Sequence, residues 1–203
     1  MGIAERKERE KQQMKQAILD AAMRLFVEEG MEKTSIRKIA QRIEYSPATI
    51  YLYFADKNAI FYELHTMAFT QFRDEIQRGA FVKDPYERLR FLGRNYIEFG
   101  LKNPEKYDLM FILRSPMNHL HKEEDENWVV GSAAFRFLEM TVKECLEAGR
   151  IRPGDPAGIA YNLWAYVHGI CCLVIRDRMK MYEENNLEIL LDSYDYFIDA
   201  MGA

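Results

Sequence analysis

The sequence predicts an all-α protein, and three observations carry that prediction. Apolar residues recur at helical spacing through most of the 203 residues. A capping side chain followed by proline appears at Ser46-Pro47, Asp84-Pro85, Asn103-Pro104 and Asp155-Pro156, each opening a helical pattern. No stretch alternates as a half-buried strand would, and no segment repeats.

Taken in order, the chain opens with MGIAERKEREKQQMKQ, a charged run without the apolar core of a signal peptide. It reads as an extended, partly helical arm, either a solvated charge run or one that touches DNA. The first core helix follows through Ile18, Ala22, Leu25 and Phe26 and stops at Gly30, a natural C-cap. Thr34 is placed to cap the next helix, whose apolar face is Ile36, Ile39, Ala40 and Ile43. Glu44 and Tyr45 separate it from a third helix capped by Ser46, with Pro47 at the first helical position. That helix is only about two turns long. Ile50 and Phe54 point inward, leaving Pro47, Ala48, Thr49, Tyr51, Leu52 and Tyr53 mostly outside. An exposed side of small and aromatic residues is poorly explained by solubility. Two short helices joined by a tight turn describe a helix-turn-helix reader of the DNA major groove.

Asp56 caps a longer helix running to about Gly79, with Ile60, Leu64, Met67, Phe72 and Ile76 facing inward. It is long enough to link the reader to the rest. Leu89, Leu92, Tyr96 and Phe99 mark the helix after Pro85, and PEKYDLMFILR a shorter one after Asn103. Ser115 to Asn127 is polar, charged and aperiodic, so it reads as a loop. Val130, Ala134, Phe137, Leu138, Thr141 and Cys145 make a long helix closing at Gly149. Ala157 to Ile175 carries no charged residue, so hardly any face suits water. A membrane span would explain one such segment, but Asn162 and His168 interrupt it; a helix buried on one side by its own body and on the other by a second chain explains it better. The last helix shows one apolar stripe through Leu187, Leu190, Leu191, Tyr194, Ile198 and Met201. Two copies of these two helices would form a four-helix interface. On this pattern the contacts between chains fall to Leu163, Val167, Ile170, Val174, Leu187, Leu191, Tyr194 and Ile198.

The net charge of −4 argues against a chain coated with nucleic acid, yet its two parts differ. Residues 1–60 hold 11 Lys and Arg against 9 Asp and Glu, and residues 61–203 hold 17 against 23. A head of +2 on a body of −6 fits DNA contact confined to one end. Cys145, Cys171 and Cys172 form neither a metal-spaced pair nor an even disulfide set, which points to reduced thiols in a cytoplasmic protein.

Thr34-Ser35-Ile36, Ile39-Ala40, the run Ser46 to Phe54 and Asp56-Lys57 together resemble the DNA-binding domain of the tetracycline-repressor (TetR) family, over about residues 17–64. The Ala-Thr-Ile-Tyr-x-Tyr-Phe-x-x-Lys core carries most of that specificity. Glu44 stands where the family usually has a turn glycine, and Pro47 where a basic or polar residue is common. The resemblance implies a DNA-binding domain over residues 1–60, a helical ligand-binding and dimerisation domain over residues 61–203, and dimerisation through the last two helices. Carried over by position, it implies DNA contacts from Thr34, Ser35, Arg37, Ser46, Pro47, Ala48, Thr49, Tyr51, Leu52, Tyr53 and Lys57. WAYVHG, residues 164–169, also resembles a Trp-His-Gly subtype of TetR C-terminal domains.

Trp164, His168 and Cys171 share one helical face, which reads either as core, with His168 satisfied by a backbone carbonyl or a tyrosine, or as the wall of a ligand cavity. A cavity would draw on Phe69, Phe99, Met110, Phe111, Phe135, Trp164 and His168, in a chain whose 11 methionines suit an adaptable apolar pocket. His119 and His121 beside Glu123, Glu124 and Asp125 could meet a divalent metal, though a solvated loop explains them as well, and no metal or other cofactor is expected. No serine elbow, phosphate-binding glycine loop or HExxH stands in the chain, so nothing argues for an enzyme. The expectation is a cytoplasmic homodimeric regulator on double-stranded DNA with a near-palindromic operator, released by a small apolar effector and without a membrane partner. The alternative is a helical ligand-binding or scaffolding protein without DNA affinity.

Overall fold

The computed structural model describes residues 2–113, 128–179 and 187–203. Helices account for nearly all of them: α1 (Ile3–Glu29), α2 (Ile36–Arg42), α3 (Pro47–Tyr51), α4 (Lys57–Gln77), α5 (Pro85–Lys102), α6 (Pro104–Tyr107), α7 (Trp128–Glu147), α8 (Pro156–Ile175) and α9 (Leu187–Met201). A short 3₁₀ turn, Arg78–Phe81, follows α4, and a π turn, Asp108–Ile112, continues α6. Among the described residues the only β pairing is an isolated bridge between Ile151 and Gly202. The expected loop at residues 115–127, with His119 and His121, lies outside the described residues.

The cap-and-proline signal works as expected at Asp84 and Asp155, whereas the Asn103 side chain donates to the Phe99 carbonyl at 3.0 Å and accepts from Lys106 Nζ at 3.1 Å. Asp84 accepts from the backbone N–H groups of Tyr86 and Glu87, and Asp155 from that of Gly158, with proline at the first turn of α5 and α8. The arm is helical throughout rather than in part: α1 begins at Ile3 and runs 27 residues to Glu29. Pairs spaced one turn apart, such as Arg6 with Glu10, support its exposed first half.

The chain divides into two compact units. The first holds Met1–Met67 and the described part of Asp108–Glu124. Its core joins Ile18 and Ala22 of α1, Ile39 and Ala40 of α2, Ile50 of α3, and Ile60 and Phe61 of α4, all with no exposed surface. Phe26 meets Phe61 edge-on at 5.9 Å, and Leu109 completes the cluster. Each of the buried isoleucines contributes about 2 kcal/mol by leaving water.

The second unit holds Ala68–Tyr107 and the described part of Asp125–Ala203, built from α5, α7, α8 and α9. Leu89, Leu92, Tyr96 and Phe99 form the inner face of α5, as their spacing predicts. Gly93 lies under the Tyr194 ring, whose hydroxyl donates to the Leu89 carbonyl at 3.0 Å. Around this contact Arg90 pairs with Asp195 at 3.3 Å and Asp199 at 2.6 Å, and Arg94 pairs with Asp195. Two expectations fail. Met67, in the first unit, is 41% exposed rather than inward. Leu163, Val167, Leu191, Tyr194 and Ile198, expected between chains, are buried within their own chain because α5 packs against the inner faces of α8 and α9. The apolar stripe of a helix marks what is buried without saying by which chain.

Candidate nucleic-acid interface

The reader sits in the first unit, and its geometry starts with two caps. Ser35, not Thr34, caps α2, accepting from the Lys38 backbone N–H at 3.3 Å. Thr34 is 1% exposed and its hydroxyl donates to the Gly30 carbonyl at 2.9 Å. This overturns its expected contact with DNA: the side chain locks the end of α1 and does not reach the surface. Ser46 caps α3 as expected, accepting from the Thr49 N–H at 3.2 Å.

Between the caps the chain turns through a Schellman motif. The Tyr45 N–H donates to the Ala40 carbonyl at 2.9 Å, and the Glu44 N–H to that of Gln41 at 3.2 Å. Glu44 takes φ of 61°, the left-handed conformation that suits glycine, so the turn forms here with a side chain in place. Glu44→Gly should therefore stabilise the first unit by about 0.5–1 kcal/mol. A lowered urea midpoint would show that the Glu44 side chain supports the turn instead.

The turn leaves α3 anchored by Ile50, with no exposed surface, while Pro47, Ala48, Tyr51 and Leu52 face outward. Tyr51 is 57% and Leu52 80% exposed. Thr49 is half-buried with its hydroxyl 3.1 Å from that of Ser46, and Tyr53 packs partly on the core. Arg37 stands exposed on α2. Lys57 is half-buried and its ammonium donates to the Met31 carbonyl at 3.1 Å, tying the start of α4 to the end of α1. Sequence reasoning missed how the other cations of α2 are used. Arg42 forks onto both carboxylate oxygens of Glu28 at 2.7 and 2.5 Å, and Lys38 pairs with Glu29. The bonded guanidinium holds the Glu28 carboxyl below its ordinary range. No local pattern announces partners 9 and 14 residues apart.

The expected effector residues do not gather within one unit. Met110 and Phe111 belong to the first, and Phe69, Phe99, Phe135, Trp164 and His168 to the second. Phe135, Trp164 and His168 are neighbours there, with ring centroids 5.9 and 6.0 Å apart. His168 meets tyrosines, as the core reading allowed without naming them: its Nδ1 lies 2.6 Å from the Tyr107 hydroxyl and 3.2 Å from that of Tyr96. Among the described residues no cluster of His, Cys, Asp or Glu could hold a metal ion. Cys145 and Cys171 are buried free thiols and Cys172 is half-buried.

A capped pair of short helices, turned by a Schellman motif and presenting an uncharged outer side from a three-helix core, defines a helix-turn-helix DNA-binding protein. The chain belongs to the TetR family: residues 18–64 match the model of bacterial regulatory proteins of the tetR family, and residues 89–201 that of the tetracyclin repressor-like C-terminal domain. The narrower Trp-His-Gly subtype is not confirmed by these matches. The chain is 30% identical over 164 residues to the HTH-type transcriptional regulator AcrR of Shigella flexneri, spanning 75% of this chain and 73% of that one. It is 26% identical over 196 residues to the regulator HbdR of an Aromatoleum species, spanning 91% and 81%. Its fold matches that of the TetR family transcriptional regulator PfmR of Thermus thermophilus with a TM-score of 0.69, covering 90% of this chain and 97% of that one at 22% identity. The protein is a DNA-binding transcriptional regulator.

Proposed function

We propose that this regulator is a cytoplasmic homodimeric repressor that holds a near-palindromic operator and leaves it when a small apolar effector binds. On this reading residues 1–60 form the DNA-binding domain and residues 61–203 the effector-binding and dimerisation domain, and no catalytic step is involved. The observation that carries it is the outer side of α3, where Pro47, Ala48, Tyr51 and Leu52 stand in water on a rigidly anchored helix. Between Ser46 and Phe54 there is no Arg or Lys, so two-pronged guanine recognition from this helix is ruled out. Its contacts are to thymine methyls and backbone, with DNA shape supplying further discrimination. Ser35, Arg37, Ser46 and Thr49 flank that side, and Tyr53 and Lys57 brace it. Selection of bound duplexes from a random pool tests this directly. Tyr51→Ala and Leu52→Ala should each lower affinity for the selected site about 10-fold, with little change on unrelated duplex. Equal losses on both kinds of DNA would remove α3 from the reading role.

Dimerisation falls to the outer faces of α8 and α9. Tyr161, Ala165, Gly169 and Leu173 follow one another at one-turn spacing along α8, with Tyr161 57% and Leu173 47% exposed. Ile189 at 55% and Tyr196 at 79% continue the apolar surface on α9. A second copy covering this patch explains why a helix with no charge is only partly buried in its own chain. Of the residues expected between chains, Ile170, Val174 and Leu187 remain partly exposed and border it. Leu173→Glu combined with Ile189→Glu should yield folded monomers in light scattering and weaken operator binding about 10- to 100-fold, since each half-site is then held alone. A dimer that survives both charges places the interface elsewhere.

A further inference from the structure

We propose that the exposed first turns of α1 form a phosphate grip, with Lys7 and Lys11 holding the DNA backbone beside the base pairs that α3 reads. The proposal rests on the reading role of α3 and adds the groups that supply charge to the complex.

Positive charge is the first requirement, because duplex DNA carries one negative charge for about every 1.7 Å of its axis. No Arg or Lys lies between Ser46 and Phe54. Residues 17–60 hold six Lys and Arg against six Asp and Glu. The whole +2 excess of residues 1–60 therefore lies in residues 1–16, where five cations face three anions. Of the six later cations, Lys38 and Arg42 are paired with Glu29 and Glu28, and the Lys57 ammonium donates to the Met31 carbonyl. The helical core of the head engages half of its cations internally, which leaves the arm as the main source of charge.

The register of α1 says which arm cations face the head. Lys7, Lys11, Met14, Ile18, Ala22 and Leu25 follow one another at one-turn spacing and share one side of the helix. In the second half that side is the buried one, with Ile18 and Ala22 at 0% and Leu25 at 3% exposure. Met14 packs partly on the core, and beyond it the same side carries Lys7 and Lys11 into water. Lys15 marks the edge of the head: its ammonium lies 5.6 Å from the centre of the Phe54 ring and 2.8 Å from Glu63. Phe54 closes the reader stretch. The overhang thus starts beside that stretch, and its lysines point to the side on which α2, α3 and α4 pack. Four residues separate Lys7 from Lys11, about 6 Å of helix, close to two phosphate steps of about 3.4 Å along one strand.

The carboxylates of the arm do not occupy these lysines. Glu5 accepts from the Gly2 N–H at 2.8 Å, Glu8 from Gln12 Nε2 at 2.9 Å and Glu10 from Arg6 Nε at 2.8 Å. Among the described residues no carboxylate pairs with Lys7 or Lys11, and both are exposed. The one-turn bonds hold the helix extended past its core, where so short a run would be marginal alone. Two lysines on a preformed helix, with no ion pair to break, meet phosphate at little cost.

The test follows binding of the full-length protein to its selected duplex by fluorescence anisotropy, from about 0.05 to 0.3 M salt. Lys7→Gln with Lys11→Gln should reduce the slope of log affinity against log salt by about 2 for each bound head, with heads counted by stoichiometric titration. Near 0.15 M salt that corresponds to about a 30-fold loss per head. The loss should be equal on unrelated duplex, since phosphates carry no sequence. Lys7→Arg with Lys11→Arg should keep the parent slope. Lys83→Gln with Lys143→Gln removes the same charge from the second unit and should leave the slope unchanged. An unchanged slope in the arm glutamine variant, or an equal fall in the second-unit variant, overturns the proposal. So does an arm variant that changes the mass of the free protein in light scattering, which would assign the lysines to a second copy. A lowered slope beside Tyr51→Ala losses equal on both duplexes removes the reading role of α3 and leaves the grip standing.

Discussion

Gly93→Ala should destabilise the second unit by about 3 kcal/mol or more, close to abolishing its fold. A Cβ at this position would lie 1.9 Å from Tyr194 Cζ and 2.3 Å from its hydroxyl oxygen, far inside contact distance. Tyr194 cannot swing aside cheaply. Its ring is 1% exposed, its hydroxyl donates to the Leu89 carbonyl, and its neighbour Asp195 is held by Arg90 and Arg94. Overpacking a core commonly costs about 1–3 kcal/mol, and here the buried tyrosine bond is lost as well. Thermal unfolding of the variant should show the loss. Combining Gly93→Ala with Tyr194→Phe should recover little, since the ring carbons collide as well as the oxygen. A variant that melts with the parent protein would mean that α5 and α9 shift apart freely, against the packing described above.

Acid should weaken the first unit through His65. Burial lowers the pKa of this side chain, 5% exposed on α4 and stacked on Tyr62, from 6.5 to about 4. The direction follows from proton counting. Between those two values the unfolded chain binds a proton that the folded chain does not, so stability rises with pH through the window and is lost as pH falls from about 6.5 toward 4. A separation of this size corresponds to about 3 kcal/mol when complete. His168, also lowered by burial, adds a contribution of the same sign in the second unit. Urea unfolding between pH 4 and 7.5 should show this slope, and His65→Phe should flatten it. An NMR titration placing His65 near its ordinary value would remove the mechanism.

Much of this protein was legible in the chain alone because helices are local objects. Caps, prolines and periodic apolar residues act within a turn or two, so Ser46-Pro47, Asp84-Pro85 and Asp155-Pro156 announce α3, α5 and α8 on their own. The reader was legible for the same reason, since a helix-turn-helix packs all its instructions into one short run. Even there, one residue of register separated Thr34 from Ser35, and only the packing decided which of them caps and which is buried.

What the tertiary structure decided is which surface each stripe meets. Periodicity marked Leu191, Tyr194 and Ile198 as apolar, but the choice between their own α5 and a second chain depends on elements about a hundred residues away. Separation along the chain also hid the ion pairs that engage Arg42 and Lys38, 14 and 9 residues from their partners, and which tyrosines converge on His168 from 72 and 61 residues away. Sequence by itself determined an all-helical TetR-type regulator with its reader near the N-terminus. Long-range packing determined which side chains remain at the surface, because burial and hydrogen bonding between distant segments follow from the folded geometry rather than from local spacing.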